Sequence, residues 1–225
     1  MASRPRSSSR QSGPKRPASH RAGRQSLRII GGLWRGRRVS FPELPGLRPT
    51  GDRVRETLFN WLQPWVLGEE CLDLFAGSGA CGFEALSRGA RSVVFVEAAR
   101  EAADAIEHNL VALAATPGYQ GKASLARMRV EQWLASQNDG QMQYGLVFID
   151  PPFVEGEQTQ LRQCCELLEA SGLLKPHARI YVESGAPLLP SLPANWRALR
   201  QQRAGAVHFG LFERLAPGNQ ADSGA

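Results

Sequence analysis

The chain reads as an α/β protein built on a doubly wound, mostly parallel sheet, and three observations predict this. From Cys71 onward, short apolar runs alternate with segments of helical periodicity. Leu146-Val147-Phe148-Ile149 is an unbroken apolar run, as expected of a strand buried on both faces. A turn of the form Gly77-x-Gly79-x-x-Gly82 follows one such run and opens a helix. The 225 residues, 42% of them hydrophobic, accommodate one domain plus extensions.

Residues 1–26 are rich in Ser, Arg, Gly and Pro, nearly devoid of large apolar side chains, and read as a disordered basic tail. A solvated tail, an RNA-binding arm and a transit peptide are the readings open there, the last lacking an amphipathic stripe. Residues 27–216 form a single domain. Within it, 27–50 is a short β extension: Arg28-Ile29-Ile30, the turn Gly31-Gly32, then Trp34 through Phe41. Arg35, Arg37 and Arg38 place a basic face on that ribbon, and Pro42, Pro45 and Pro49 punctuate an extended stretch after it. The core, 51–216, opens with a helix from Asp52, its stripe running through Val54, Leu58, Trp61, Leu62 and Trp65, terminated near Pro64 and Gly68.

The alternation then proceeds as strand Cys71–Phe75, helix Ser78–Ser87, strand Ser92–Val96, helix Arg100–Ala114 and a third strand near Ala123–Val130. The fourth strand is Leu146–Ile149. A helix over about Thr159–Ala170, a strand at Arg179–Glu183, and two late strands around Trp196–Gln201 and Val207–Arg214 complete it. A hairpin around Gly205 would make the last strand antiparallel. Residues 217–225 are a second disordered tail.

Net charge is +6, unevenly distributed: residues 1–42 hold eleven Arg or Lys and no acid, leaving 16 basic against 21 acidic residues in the rest. A basic arm on a mildly acidic body points first to nucleic acid. Cys71, Cys81, Cys164 and Cys165 have no metal-ligand spacing, so no metal is expected, and they fit a reducing cytoplasm. No apolar stretch approaches the ~18 residues of a membrane span.

The most informative segment is Asp150-Pro151-Pro152-Phe153, directly after the fourth strand. In open α/β sheets, ligands bind beyond the carboxyl ends of strands. The motif sets a carboxylate, a proline carbonyl and an aromatic face there, on a turn stiffened by two prolines. That set suits a planar group carrying N–H donors, such as a nucleobase amine. Asp73-Leu74-Phe75-Ala76-Gly77-Ser78-Gly79 forms the expected cofactor loop, and Glu97 ends the next strand where an acid accepts hydrogen bonds from ribose hydroxyls. A nicotinamide dinucleotide and S-adenosylmethionine share that acid. Asp73, just before the loop, favours the cationic S-adenosylmethionine over a pyrophosphate.

Together with Arg48-Pro49-Thr50-Gly51-Asp52-Arg53-Val54-Arg55-Glu56-Thr57-Leu58-Phe59-Asn60-Trp61-Leu62, Gly82-Phe83-Glu84-Ala85-Leu86-Ser87-Arg88-Gly89-Ala90 and Tyr181-Val182-Glu183, these motifs resemble the RsmD family. Those are bacterial 16S ribosomal RNA guanine-N2 methyltransferases acting on the base conventionally numbered 966. The resemblance spans Leu27 to Leu215. It implies a Rossmann-like class I S-adenosylmethionine-dependent methyltransferase fold, with a seven-stranded, mostly parallel sheet, one antiparallel strand, and an N-terminal β-hairpin extension. It also implies cofactor contacts from Arg48, Pro49 and Thr50, RNA contacts from Arg28, Arg35, Arg37, Arg38 and Arg53, and a cytoplasmic monomer acting on 16S rRNA in an assembling 30S subunit. Two positions depart from the family pattern: Arg129 stands where a small polar or acidic residue is usual, and Val154-Glu155-Gly156-Glu157 replaces a basic stretch.

Other classes make different demands. An NAD-dependent oxidoreductase needs a placed His or Tyr acid and leaves the proline motif unexplained. A non-catalytic RNA-binding assembly factor predicts degenerate motifs. Adenine-N6 or DNA amino methylation uses similar motifs and stays open at this level.

Overall fold

The computed structural model describes residues 23–45, 50–137, 143–152, 156–188 and 192–216. Two short strands, β1 (Arg24–Arg28) and β2 (Arg38–Pro42), pair antiparallel with Leu27 opposite Val39. Their alternation buries Leu27, Val39 and Phe41. The segment between them docks on the rest of the molecule. Leu33 N–H donates to the Ser87 carbonyl (2.7 Å) and Trp34 N–H to Ser87 Oγ (2.9 Å). Gly32 is required there: its φ is +74°, and a Cβ would lie 1.9 Å from that same carbonyl oxygen.

Helix α1 (Asp52–Leu62) is followed by β3 (Glu70–Leu74), α2 (Ala80–Ser87), β4 (Ser92–Val96), α3 (Arg100–Ala114), β5 (Lys122–Ala126) and α4 (Val130–Ala135). Then come β6 (Tyr144–Ile149), α5 (Glu157–Ala170), β7 (Leu174–Ser184), β8 (Trp196–Ala204) and β9 (Val207–Arg214). The large sheet has the order β5-β4-β3-β6-β7-β9-β8. Strands β3 to β7 are mutually parallel, and β9 runs antiparallel to both of its neighbours. This is the expected seven-stranded, mostly parallel sheet with one reversed strand. The chain winds outward from β3 through β4 to β5, then returns to β6 on the other side. The switch point, where open α/β sheets bind ligands, therefore lies between β3 and β6.

One apolar layer joins the β1–β2 unit, α1, α2 and α3 to one sheet face; the other joins α4 and α5 to the opposite face. Among the described residues, no helix is long and apolar enough to cross a membrane.

Several boundaries differ from the sequence reading. Strand β1 begins at Arg24, inside the segment read as tail, because ladder pairing with β2 compensates a polar composition. The ribbon strands are also displaced outward from Arg28–Ile30 and Trp34–Phe41. Helix α1 stops at Leu62; Trp65 lies beyond it, partly exposed, with the Arg179 guanidinium 4.6 Å from its ring centre. Phe59 and Arg55 are buried instead, and Val54 and Trp61 only half so. The third strand ends at Ala126, and Val130, Trp133 and Leu134 bury the face of a short helix whose single turn is too brief to register as a period. Strand β7 starts at Leu174, with a register irregularity around Pro176 and His177, whose φ is +59°.

Candidate active site

Four strands carry an acid at or just after the carboxyl end: Asp73 on β3, Glu97 after β4, Asp150 after β6 and Glu183 on β7. The register decides which of them meet. Leu74 pairs with Ile149 and Ile149 with Val182, so Asp150 and Glu183 follow side by side on adjacent parallel strands. Phe148 and Tyr181 belong to the layer under α1 and α2, whereas Ile149 and Val182 belong to the other. Strand alternation thus turns Asp150 and Glu183 toward α1 and α2, and Asp73, two residues after Cys71, the same way.

These residues wall a cleft of about 680 Å³ at the switch point. Its described acids are Asp73, Glu97, Glu131, Asp150 and Glu183, against the single cation Arg129. Thr50, which precedes α1, covers the paired carboxylates: its hydroxyl donates to Asp150 Oδ2 (3.1 Å) and lies within hydrogen-bonding reach of Glu183. Tyr181 OH donates to Glu183 Oε2 (2.8 Å). Burial holds the Asp150 carboxyl well above the usual carboxylate range, the neighbouring Glu183 charge adds to this, and the Thr50 hydrogen bond opposes it. Burial likewise raises Glu183 against the hydrogen bonds of Tyr181 and Thr50.

Asp73 lies beneath the glycine turn. Gly82 N–H donates to Asp73 Oδ2 at 2.9 Å, yet burial pushes this carboxyl up to about 8. A Cβ on Gly82 would sit 2.2 Å from the Phe95 ring, so this glycine provides close approach of α2 to the sheet. Phe75 adopts φ +59° at the end of β3, a conformation that stores about 1–3 kcal/mol in a bulky residue and clusters at ligand sites. Glu97 accepts from Gly77 N–H (2.7 Å) and Ala99 N–H (2.6 Å), which ties the glycine turn to the start of α3.

Of the sequence-derived candidates, Asp150, Pro151, Pro152, Asp73, Phe75, Ala76, Gly77, Ser78, Glu97 and Thr50 line the cleft. Phe153, Arg48 and Pro49 lie outside the described residues, as do 1–22 and 217–225. Gly79 is not among the residues lining the cleft; with φ +73° it turns the chain into α2. Thr50 donates to Asp150, at the Asp-Pro-Pro end of the cleft. The five arginines assigned to RNA do not share one surface role. Arg37 donates to Thr116 Oγ1 and to the Ala112 carbonyl (3.2 Å), satisfying the carboxyl end of α3. Arg38 is held by Ser26 on the paired strand (2.6 Å). Arg28, Arg35 and Arg53 are exposed, and Arg53 stands one residue from the cleft-lining Gly51 and Val54. Arg129 is on the wall and ion-pairs with Glu131 (3.5 Å). Glu183 was missed as a site residue, although Ile-Tyr-Val-Glu repeats the pattern of an acid closing an apolar strand.

A wall of under-compensated carboxylates fits a ligand that brings positive charge and N–H donors, and it repels a pyrophosphate. Among the described residues, no group of three or more His, Cys, Asp or Glu could hold a metal ion, and the four cysteines are buried and unpaired. Sheet order, reversed last strand and switch-point cleft define the fold of the class I S-adenosylmethionine-dependent methyltransferases.

Residues 27–213 match the family model described as "Conserved hypothetical protein 95", and the chain belongs to this family, the RsmD family. It is 44% identical over 198 residues to ribosomal RNA small subunit methyltransferase D of Escherichia coli strain K12, covering 88% of this chain and 94% of that one. The solved structure of yhhF from Escherichia coli superposes with a TM-score of 0.74 at 44% identity, over 85% of this chain and 99% of that one. The fold alone is shared with a chain solved as a complex with SAH, at 16% identity and a TM-score of 0.57, over 78% of this chain and 53% of that one.

Proposed function

We propose that this protein uses S-adenosylmethionine to methylate the exocyclic N2 amine of a guanine in 16S ribosomal RNA, the base conventionally numbered 966, on an assembling small subunit. The observation that carries this reading is Asp150, recessed at the end of β6 beside Glu183 and hydrogen-bonded by Thr50. The name of the Escherichia coli relative supports the ribosomal RNA substrate.

In this reading, Asp73 and the turn Phe75–Ser78 hold the amino-acid end of the cofactor, and Glu97 holds its ribose. The bound cofactor supplies an electrophilic methyl group on a sulfonium centre. The amine of guanine is a weak nucleophile because its lone pair is delocalised into the ring. The Asp150 carboxylate and the Pro151 carbonyl each accept one of its N–H groups, which draws the nitrogen toward sp³ geometry and aims the lone pair. Positioning and electrostatic preorganisation supply most of the rate. Stacking on Phe153 offsets part of the loss of base stacking, contributing ~1–3 kcal/mol. An unpaired loop nucleotide is the preferred target, since extrusion from a stack costs a few kcal/mol. Asp150 acts first as positioner; binding of a cation beside it favours its ionised, accepting form.

The same reading takes 27–216 as one methyltransferase domain acting as a cytoplasmic monomer, with 1–26 and 217–225 as tails. Mass spectrometry of nuclease-digested 16S rRNA from a deletion strain tests it. One N2-methylguanosine disappears and returns on complementation; loss of a different nucleoside, or of none, defeats the assignment.

A further inference from the structure

Glu183 is a buried acid with no assigned task in the chemistry above. It is 5% exposed, yet its carboxylate lies on the cleft wall beside Asp150. Its hydrogen-bond donors are two neutral hydroxyls, Tyr181 OH at 2.8 Å and Thr50, and Thr50 has a single proton to divide between Glu183 and Asp150. None of the ion pairs among the described residues involves either carboxylate. A glutamine carbonyl would accept from Tyr181 and Thr50 equally well and without burying a charge, so a purely structural role does not call for an acid here. Two adjacent acceptors, facing one cleft and short of donors, call for a ligand that presents two adjacent donors.

The bases differ in this respect. Guanine carries N1–H directly beside its N2 amine, so its edge offers donors on neighbouring atoms. Adenine and cytosine set their amines beside an unprotonated ring nitrogen, whose lone pair would face a carboxylate. Uracil has one N–H between two carbonyls.

We infer that Glu183 is the specificity-determining residue of the cleft: it accepts N1–H of the target guanine while Asp150 accepts from the N2 amine. This rests on the reading of the cleft as a guanine-N2 methyltransferase site. Tyr181 and Thr50 orient the Glu183 carboxylate for that contact. A site built to pair with an N–H discriminates strongly against the analogue that lacks it, because a buried acceptor is then left unpaired.

The test compares two RNAs, a 16S rRNA fragment assembled with small-subunit proteins and carrying either guanosine or 2-aminopurine riboside at the target. 2-Aminopurine keeps the 2-amine but has an unprotonated N1. The full-length wild-type chain turns over the guanosine substrate at least about a hundredfold faster. In Glu183→Gln, whose amide can turn its NH₂ toward an N1 acceptor, that preference falls by at least about tenfold. Taking the change in preference between the two enzymes cancels the intrinsic difference between the bases. An unchanged preference in Glu183→Gln, with S-adenosylmethionine binding intact, overturns the inference. Should that variant fail to fold, Glu183→Ala takes its place with the same expected fall in preference; an unchanged preference overturns the inference, and so does equal turnover of both RNAs by the wild-type chain. Nuclease digestion of the wild-type guanosine product separates the two levels: N2-methylguanosine upholds the underlying reading, whereas methyl on any other atom removes that reading and this inference with it.

Discussion

Two sets of buried acids, both in the layer beneath α1 and α2, have opposite surroundings. Glu84 on α2 is 0% exposed and saturated with donors: Ile30 N–H (2.9 Å), Gly31 N–H (2.8 Å), Arg88 Nε (2.9 Å) and the fully buried Arg55 (3.5 Å). Arg55 also donates to the Arg28 carbonyl (3.0 Å), so this knot ties the N-terminal unit to α1 and α2. Among the described residues, Asp150 and Glu183 have only the Thr50 and Tyr181 hydroxyls, and Asp73 only the Gly82 amide. Equal burial therefore says little about role. The supply of donors separates an acid that holds the fold from acids kept for a ligand. It also divides the long segment 48–62: Arg55 belongs to the knot, Thr50 to the cleft.

The largest effect that would break this contrast is in the cleft. Asp150→Ala lowers methyl transfer by about a thousandfold, while S-adenosylmethionine binding, followed by calorimetry, persists. Full activity in single-turnover assays removes the positioning role. At the knot, Glu84→Gln leaves Arg55 paired with Asp52 (2.5 Å) but removes the charge that Arg88 (2.8 Å) and Arg55 (3.5 Å) share, and destabilises the fold by about 1–3 kcal/mol. Denaturant unfolding measures this, and faster hydrogen exchange at Ile30 and Gly31 locates it. An unchanged midpoint means the knot is ornamental.

Asp73 sharpens the comparison through pH. Its folded value of about 8 lies above the ordinary 3.8, so the native state binds the extra proton. Its contribution to stability is fully present below about pH 4 and is lost as pH rises to about 8. Asp73→Asn flattens thermal stability across that window; a parallel pH profile in both proteins contradicts the assignment. The ionised form that appears in the same window attracts a cation, so cofactor affinity rises with pH and binding near neutrality releases a proton, detectable by calorimetry in buffers of different ionisation enthalpy.

The smallest effects separate the arginines. Arg37→Ala removes hydrogen bonds at the end of α3, costs about 1 kcal/mol, and leaves RNA affinity unchanged. Arg53→Ala leaves stability intact and lowers the slope of log affinity against log salt by about one. Equal salt slopes for both variants would place Arg53 off the RNA path.

Much of the scaffold was legible because it rests on local pattern. Ser92–Val96 and Arg100–Ala114 fall where their runs and stripes place them, as does the Gly205 hairpin. The boundaries that moved lacked a local signal: Arg24–Ser26 is strand only through its partner, and α4 is too short for periodicity. Within the site, Asp73, Asp150 and the glycine turn stood out because an acid or a glycine at a strand end is a local feature. Glu183 has the same feature, but its neighbour is set by register. The arginines divided between helix capping, strand bracing and open surface for reasons absent from the basic ribbon as written.

The sequence by itself determined the alternation of strands and helices, the chemistry at each strand end and the family. These depend on residues within a few positions of one another, where backbone geometry converts spacing directly into a face. Only the tertiary structure decided which acids share a cleft and which are neutralised. Ile149 meets Val182 through sheet register, and Glu84 meets Ile30 and Gly31 across more than fifty residues. An acid's role follows from the donors around it in space, and those are assembled by packing rather than by position along the chain.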